Sequence, residues 1–460
     1  MKTFDNVLQL IGKTPLVRIN KLVAPQSACL YAKLEYFNPG GSIKDRMAAH
    51  IVECAERRGD LKPGGTIVES TSGNTGLGLA IVGVVKGYRT IFTIPDKMSQ
   101  EKINMLKAFG SEVIVTPTDV SHDSPEHYVE VAKRIARETK NAFHINQYDN
   151  LDNPEIHYRT TGPEIWEDTD GKVDCLVAAI GTGGTVSGTA RYLKEKAKEQ
   201  NRNVTVVCPD PIGSVFADLF YGREVKKPRT YKVEGIGQDA MVGALDMSVI
   251  DEIVNVSDKD SFLTARKMAR EEGIFAGGSS GTIMFTALQV AKDLGPGKIV
   301  VAIVCDSGDR YISKQFNDEW MRDMGFLESF NNLASVKDVM LSSSSKIEYA
   351  GAEEAISSVV LRMSSLGISQ MPIKPASGKV ELMVREVDLL HALVNATARA
   401  NDPVKSIGKP IRSKVFMGDT ISVLNRVFET SDVAIVVDKA DNVTGIVSKI
   451  DLVKFLTSRS

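Results

Sequence analysis

No apolar run in this sequence is long enough to cross a bilayer; the longest, around Leu77–Val85, stops at Lys86. An apolar signal core is also missing behind Met1, because Lys2, Asp5 and Lys13 interrupt the opening. Neither secretion nor organelle import is therefore expected, and a cytoplasmic protein is. Charge of one sign is not in excess: 56 Lys and Arg face 58 Asp and Glu, a net of −2. That balance offers no footprint for nucleic acid or an anionic membrane surface. The five cysteines are scattered and include no C-x-x-C, which points to reduced thiols rather than a disulfide framework. The six histidines lack metal spacing, and His122 and His127 have no cysteine partners, so no metal site is expected. What remains is ordinary globular composition, 43% hydrophobic and 25% charged, over 460 residues, enough for two or three domains.

From about Gly65 to Asp309, short β-branched runs alternate with amphipathic stretches. Strands are predicted at Thr66–Glu69, Thr90–Ile94, Glu112–Thr116, Val173–Ile180, Val204–Val207 and Ile299–Cys305. Helices are predicted at Ser99–Phe109, Pro125–Thr139 and Pro154–Glu167. This order implies an α/β architecture of parallel sheets covered by helices, with ligand sites beyond the carboxyl ends of the strands. Past Phe326 the pattern changes to a weak internal repeat. One copy opens with Val336-Lys-Asp-Val-Met340 and the other with Val404-Lys-Ser-Ile407, which suggests a paired module. The expected division is 1–328 for a first domain, 329–334 for a linker and 335–460 for the pair.

Five loops stand where strands should give way to helices. In Asn38-Pro-Gly-Gly-Ser-Ile-Lys44-Asp-Arg46, a lysine opens a helix, where the positive end of the helix disfavours a cation. Taken alone Lys44 would be a solvated lysine; the conflict disappears if the amine is held neutral as a Schiff base. Glu69-Ser-Thr71-Ser72-Gly73-Asn74-Thr75-Gly76 crowds hydroxyls and glycines ahead of a helix, more than one N-cap requires, and suits a carboxylate or phosphate. Gly181-Thr182-Gly183-Gly184-Thr185 can wrap backbone N–H groups around a phosphate. Val186 stands where a dinucleotide fingerprint needs its last glycine, and no G-K-[ST] follows, which disfavours nicotinamide and nucleotide readings. Gly277-Gly278-Ser279-Ser280-Gly281 and Cys305-Asp-Ser307-Gly-Asp309-Arg-Tyr311 complete the set.

Together, in this order across about Phe4–Leu327, these motifs resemble the fold type II pyridoxal-phosphate enzymes, the family of cysteine synthase and cystathionine β-synthase. The resemblance implies that Lys44 is the Schiff-base lysine and that Asn74 donates to the cofactor's ring hydroxyl. It implies that Thr71, Ser72 and Thr75 hold the substrate carboxylate, that Gly181 through Thr185 cradle the phosphate, and that Ser279 meets the pyridine nitrogen. A hydroxyl there, unlike an aspartate, would not keep that nitrogen protonated, which makes the ring a weaker electron sink and leaves β-elimination open.

Tyr158, Gly235 within Val233-Glu-Gly-Ile-Gly-Gln-Asp239, and the stretch Asp318–Leu327 are more similar to the cystathionine β-synthase branch, and Tyr158 and Gly235 are expected at the substrate. That branch implies condensation of serine with homocysteine, with hydrogen sulfide production open. The alternative is the cysteine synthase reaction on O-acetylserine and sulfide. A vestigial, non-catalytic adenylate sensor is a further reading, against which Lys44, Asn74 and Ser279 stand. The paired module resembles a tandem CBS-domain (Bateman) unit, regulatory or dimerising. Ser448 and Asp451 fit that family's pattern for an adenosyl ligand's ribose, while Arg385 before Asp388 breaks it in the first copy. A homodimer or larger assembly is expected, and no haem.

Overall fold

The computed structural model describes residues 3–457 except 72, 97, 99, 118–119, 121–123, 226–227, 328–333 and 343–346. The chain divides into two compact units, Met1–Phe326 and Leu327–Ser460.

The first unit holds two sheets. The smaller is wholly parallel, in the order Glu112–Thr116, Arg89–Pro95, Thr66–Ser70, Ala142–His144. The larger runs Leu16–Arg18, Cys29–Leu34, Ile299–Val304, Cys175–Val177, Thr205–Pro211, Glu252–Val256, and only its first pair is antiparallel. Its central strands are covered on both faces. Val301 and Ile303 join a core with Val186, Ala190 and Leu193 of the helix Gly184–Glu199. Val300, Ala302 and Val304, pointing the other way, pack with Ile283, Met284 and Ala287 of the helix Gly278–Leu294. The period of two along a strand thus fills two cores at once, which is why these runs read as continuously apolar. The smaller sheet packs through Ile67 and Phe92 on Met47, Ile51 and Val52 of the helix Lys44–Arg58.

Two predicted elements are shorter or more broken than expected. The strand placed at Val173–Ile180 pairs only over Cys175–Val177, and its end already turns toward the glycine loop. The helix placed at Pro154–Glu167 is three pieces: α over Asp152–Ile156, π over His157–Thr161, α over Gly162–Asp168. The helix Gly184–Glu199 crosses it so closely that a Cβ on Gly188 would lie 1.9 Å from the Pro154 carbonyl oxygen. A π-turn of this kind is commonest beside functional sites.

The second unit has a four-stranded sheet, Ala350–Gly351, Gln370–Lys374, Leu382–Arg385 and Lys409–Pro410, and a three-stranded one, Lys414–Phe416, Val433–Val437 and Val443–Ser448. The two copies exchange their opening segments. Val336 and Val339 pack with Leu424, Ala434 and Val447 of the later half, while Val404 packs with Ile356, Val359 and Met371 of the earlier. A repeat in the sequence is therefore not a half of the fold.

Candidate active site

The carboxyl end of the strand Ile299–Val304 organises the first unit's loops. Asp306 bridges to Ser42, and Ser307 to Ala276, so the loop 305–311 is stitched to the lysine loop on one side and the serine loop on the other. The Ile43 N–H also donates to the Cys305 carbonyl at 2.9 Å, which sets the start of the helix Lys44–Arg58 beside that loop.

Lys44 is the first residue of that helix, and its N–H donates to Ser42 Oγ at 3.3 Å. Burial lowers its pKa from the ordinary lysine value, against the charges of Cys305 and Asp306, which pull it back up. The same burial pushes the Cys305 thiol up to about 12, although Lys44 opposes it. A desolvated amine beside a helix N-terminus is poised to be neutral, the form a nucleophile or base needs. The next residue, Asp45, holds the turn before it: its carboxylate accepts the Gly40 N–H at 2.5 Å, and burial raises its pKa to about 7.

Asn74 begins the helix Asn74–Lys86. Its Nδ2 donates to Asp306 at 2.8 Å, and its Oδ1 accepts from Arg310, whose guanidinium also donates to the Gly40 carbonyl. Tyr311 donates its hydroxyl to the same Asp306 oxygen at 2.7 Å, while Oδ1 of Asp306 is buried without a hydrogen-bond partner. Ser279 is buried at the start of the helix Gly278–Leu294, and the next residue, Ser280, accepts the Cys305 N–H on its Oγ at 2.9 Å. Lys44, Asn74 and Ser279 are thus brought together through residues 305 and 306.

The hydroxyls of Thr71 and Thr75, expected at the substrate carboxylate, are engaged within the protein. Thr71 Oγ1 accepts from the N–H groups of Gly73 and Gly76 at 3.0 and 3.1 Å, and Thr75 donates to Gln147 Oε1 at 2.6 Å. Both threonines are buried, so what the loop can offer is backbone. Ser72 lies outside the described residues. Gln147 in turn donates to Glu69 and to the Ser70 carbonyl, and burial raises the Glu69 carboxyl to about 8.

Gly181–Thr185 leads into the helix Gly184–Glu199, without a side-chain cap. Its glycines are required by the protein behind them: a Cβ would lie 2.4 Å from the Gly235 carbonyl oxygen at Gly181, and 2.0 Å from Asn153 Oδ1 at Gly184. Asn153 donates to Thr182 Oγ1 at 2.9 Å, and His157 Nε2 lies 3.3 Å from Thr185 Oγ1. Burial, with the charges of Arg46 and Lys44, holds His157 well below its ordinary pKa. An uncapped helix start on a glycine turn suits a phosphate, and the lowered amine of Lys44 suits an aldehyde, so these residues fit pyridoxal phosphate. Gly235 faces the loop with φ +85 and open space where a side chain would stand.

Tyr158 is not at this site. It stands on the outer side of the π-turn, donating to Glu195 at 2.6 Å under the Arg191 guanidinium. A helix start brings Asn153 inward, and five residues of turn carry Tyr158 out. The residues that sequence reasoning gave no role are Gln147, Asn153, Asp306, Arg310 and Glu234, the last pairing with both Lys102 and Lys314. For Asp306 and Arg310 a signal existed, their place just past a buried strand; for Gln147 there was none.

In the second unit, Ser448 donates to Asp451 at 2.5 Å and Asp451 also accepts the Ser448 N–H. Ser335 and Asp338 repeat this closure at another helix start, and Arg385 clasps Asp388 at 2.7 and 2.8 Å. The spacing is thus also that of a helix cap.

Residues 7–306 match the family described as pyridoxal-phosphate dependent enzyme. Cysteine synthase from Staphylococcus aureus strain N315 is 42% identical, covering 68% of this chain and 96% of its own length. The crystal structure of O-ureido-L-serine synthase superposes with a TM-score of 0.63 at 35% identity, over 69% of this chain and 96% of that one. Cystathionine beta-synthase from Dictyostelium discoideum goes further, 38% identical over 98% of this chain and 92% of its own. The chain belongs to the cystathionine beta-synthase family. The mouse enzyme, from Mus musculus, agrees: 37% identity over 100% of this chain and 86% of its own. A cystathionine beta-synthase is a fold type II, pyridoxal-phosphate-dependent lyase, and the two sheets described above are that fold. Among the described residues no helix is long and apolar enough to cross a membrane.

Proposed function

We propose that the first unit condenses L-serine with L-homocysteine to give L-cystathionine and water, with Lys44 as the residue that moves the protons. The observation that carries this reading is the similarity to cystathionine beta-synthases along both units, where the cysteine synthase match covers about the length of the first unit. Pyridoxal phosphate, joined to Lys44 when bound, supplies the sink for the electron pair left as the serine Cα–H bond breaks.

Freed once the substrate amine takes its place on the cofactor, Lys44 Nζ would take the α-proton, and its lowered pKa favours the free amine that a base needs. The ammonium so formed gives that proton to the departing β-hydroxyl, which leaves as water. The homocysteine thiolate then forms the C–S bond at the same carbon, and Lys44 returns a proton to Cα, the thiol's own proton closing the balance. Asp306 and Arg310 fix the Asn74 amide from both ends, leaving one Nδ2 hydrogen for the cofactor's ring hydroxyl. Gly181, Thr182, Gly183, Gly184 and Thr185 would hold the phosphate on the first turn of their helix. Backbone N–H groups around Thr71, Ser72 and Thr75 would hold the substrate carboxylate, with Gln147 fixing Thr75. Ser279 would meet the ring nitrogen with a hydroxyl, which favours elimination over transamination.

We read the second unit, 335–460 after a linker at 329–334, as a CBS-domain pair that dimerises the enzyme or senses an adenosyl ligand at Ser448 and Asp451, in a cytoplasmic homodimer. The deciding experiment gives the purified protein serine and homocysteine, with and without S-adenosylmethionine, beside O-acetylserine and sulfide. Cystathionine as the dominant product supports the reading. Cysteine made faster from O-acetylserine and sulfide replaces it with the cysteine synthase alternative, which the 42% identity of the first unit favours.

A further inference from the structure

The helix that begins at Lys44 carries a second set of reactive side chains toward its far end. His50 and Cys54 lie one turn apart on the same helix face, and the first residue of the helix Asp152–Ile156 brings a carboxylate to them. One nitrogen, one sulfur and one oxygen of these three lie within 4.8 Å of one another, the single such grouping of three or more among the described residues. His50 Nε2 and Cys54 Sγ are 3.5 Å apart. Two ligands at about 2.05 and about 2.3 Å from a tetrahedral zinc ion, at about 109°, are separated by about 3.5 Å. The pair is therefore already at ligand spacing, where a plain thiol–imidazole contact would need no third group.

The surroundings suit such a site. His50 and Cys54 are buried, which shields a bound ion's nitrogen and sulfur ligands from water. Arg57 donates to Cys54 Sγ at 3.0 Å and Arg58 to Asp152 at 2.7 Å. These guanidiniums would remain as outer donors to a metal-bound thiolate and carboxylate, the kind of support that orients ligands. The sequence hid this arrangement because the third ligand comes from a different helix and neither C-x-x-C nor H-x-x-H spacing is present.

We propose that His50, Cys54 and Asp152 bind one thiophilic divalent cation per chain, zinc being the ion they fit best, with its fourth position open to water. Binding releases the Cys54 proton to solvent and forms bonds from Nε2, Sγ and a carboxylate oxygen to the ion. The position gives it a consequence. Asp152 is followed by Asn153, which donates to Thr182 in the glycine loop, and the other two ligands share a helix with Lys44. An ion here ties the lysine helix to the support of the phosphate loop.

The test uses full-length, tag-free holoenzyme treated with chelator and titrated with cobalt(II). One equivalent per chain, with a thiolate-to-cobalt charge-transfer band and intense tetrahedral d–d bands, is expected. Cys54→Ser should remove the charge-transfer band, Cys175→Ser should leave it, and Asp152→Asn should weaken binding at least about tenfold, since a charged oxygen ligand is lost. Wild-type protein without the band, or a band that persists in Cys54→Ser, overturns the site. Should Cys54→Ser fail to fold, the wild-type titration and Asp152→Asn still decide it.

Discussion

The two units handle polar groups in opposite ways. The first buries ionisable groups: Lys33, Glu35, Asp45, Arg46, Glu69, Asp210 and Asp306 are all inside, whereas the only polar residue buried as a whole among the described residues of the second unit is Gln370. Arg46 is held by two carboxylates, Glu35 at 2.7 and 2.9 Å and Glu164 at 2.7 Å twice, with Lys33 on the far side of Glu164 at 3.0 Å. The second unit instead leaves apolar residues outside. Val387, Leu390 and Leu393 on one helix, and Ile450, Val453 and Leu456 on the corresponding helix of the other copy, are exposed. A buried, paired set such as Arg46 with Glu35 and Glu164 fixes the geometry that a proton-transfer site requires. The apolar stripes stand at matching places in the two copies. One unit spends its interior on ionisable groups, the other carries apolar side chains on two corresponding helices.

The sharpest way to break the contrast is Lys44→Ala. It should abolish the cofactor's lysine-linked absorbance and lower cystathionine formation at least about 10³-fold. Product analysis and the absorption spectrum check it, and a variant that keeps the band removes Lys44 from the reaction. Next is Arg46→Leu, which leaves the Glu35 carboxylate in the interior without its cation and should cost the first unit about 3–5 kcal/mol. Trp166 and Trp320, the two tryptophans of the chain, both lie in that unit, so urea unfolding followed by their fluorescence reads the loss directly. Smaller is Glu69→Gln. The Glu69 carboxyl, at about 8 when folded against an ordinary 4.5, binds its proton more tightly in the native state. Its stabilising share is full below about 4.5 and is lost as pH rises through about 8. Wild-type stability should therefore fall across that window by up to about 1.4 kcal/mol per pH unit relative to Glu69→Gln. Urea midpoints at several pH values test the slope. Least is Ser335→Ala in the second unit, the loss of one helix cap, worth about 1 kcal/mol and visible by calorimetry as a lower melting temperature of that unit alone.

Much of this was legible beforehand. Repeating strand and helix signals, with glycine and hydroxyl residues where they meet, place Lys44, Asn74, Gly181–Thr185 and Ser279 where strands give way to helices, and in the structure each stands at the start of a helix. Tyr158 was misplaced because a π-turn between two helices rotates it out, and no local pattern announces a π-turn. The hydrogen bonds that Thr71 and Thr75 make were not legible, because a hydroxyl's partner cannot be read from its neighbours in the chain. Gln147, which takes the Thr75 hydroxyl, lies 72 positions away.

The sequence by itself determined the periodicities that make buried parallel strands, the glycines that allow tight turns, and the lysine at the head of a helix. Those are properties of a residue and its few neighbours. Only the tertiary structure decided which loops share a site, that Asp306 would hold Asn74 while Arg46 held two carboxylates, that the second unit's copies would exchange their first segments, and that Asp152 would meet His50 and Cys54. Each of these pairs groups distant along the chain. Their strength comes from exclusion of water, which no residue achieves until the rest of the chain has packed around it.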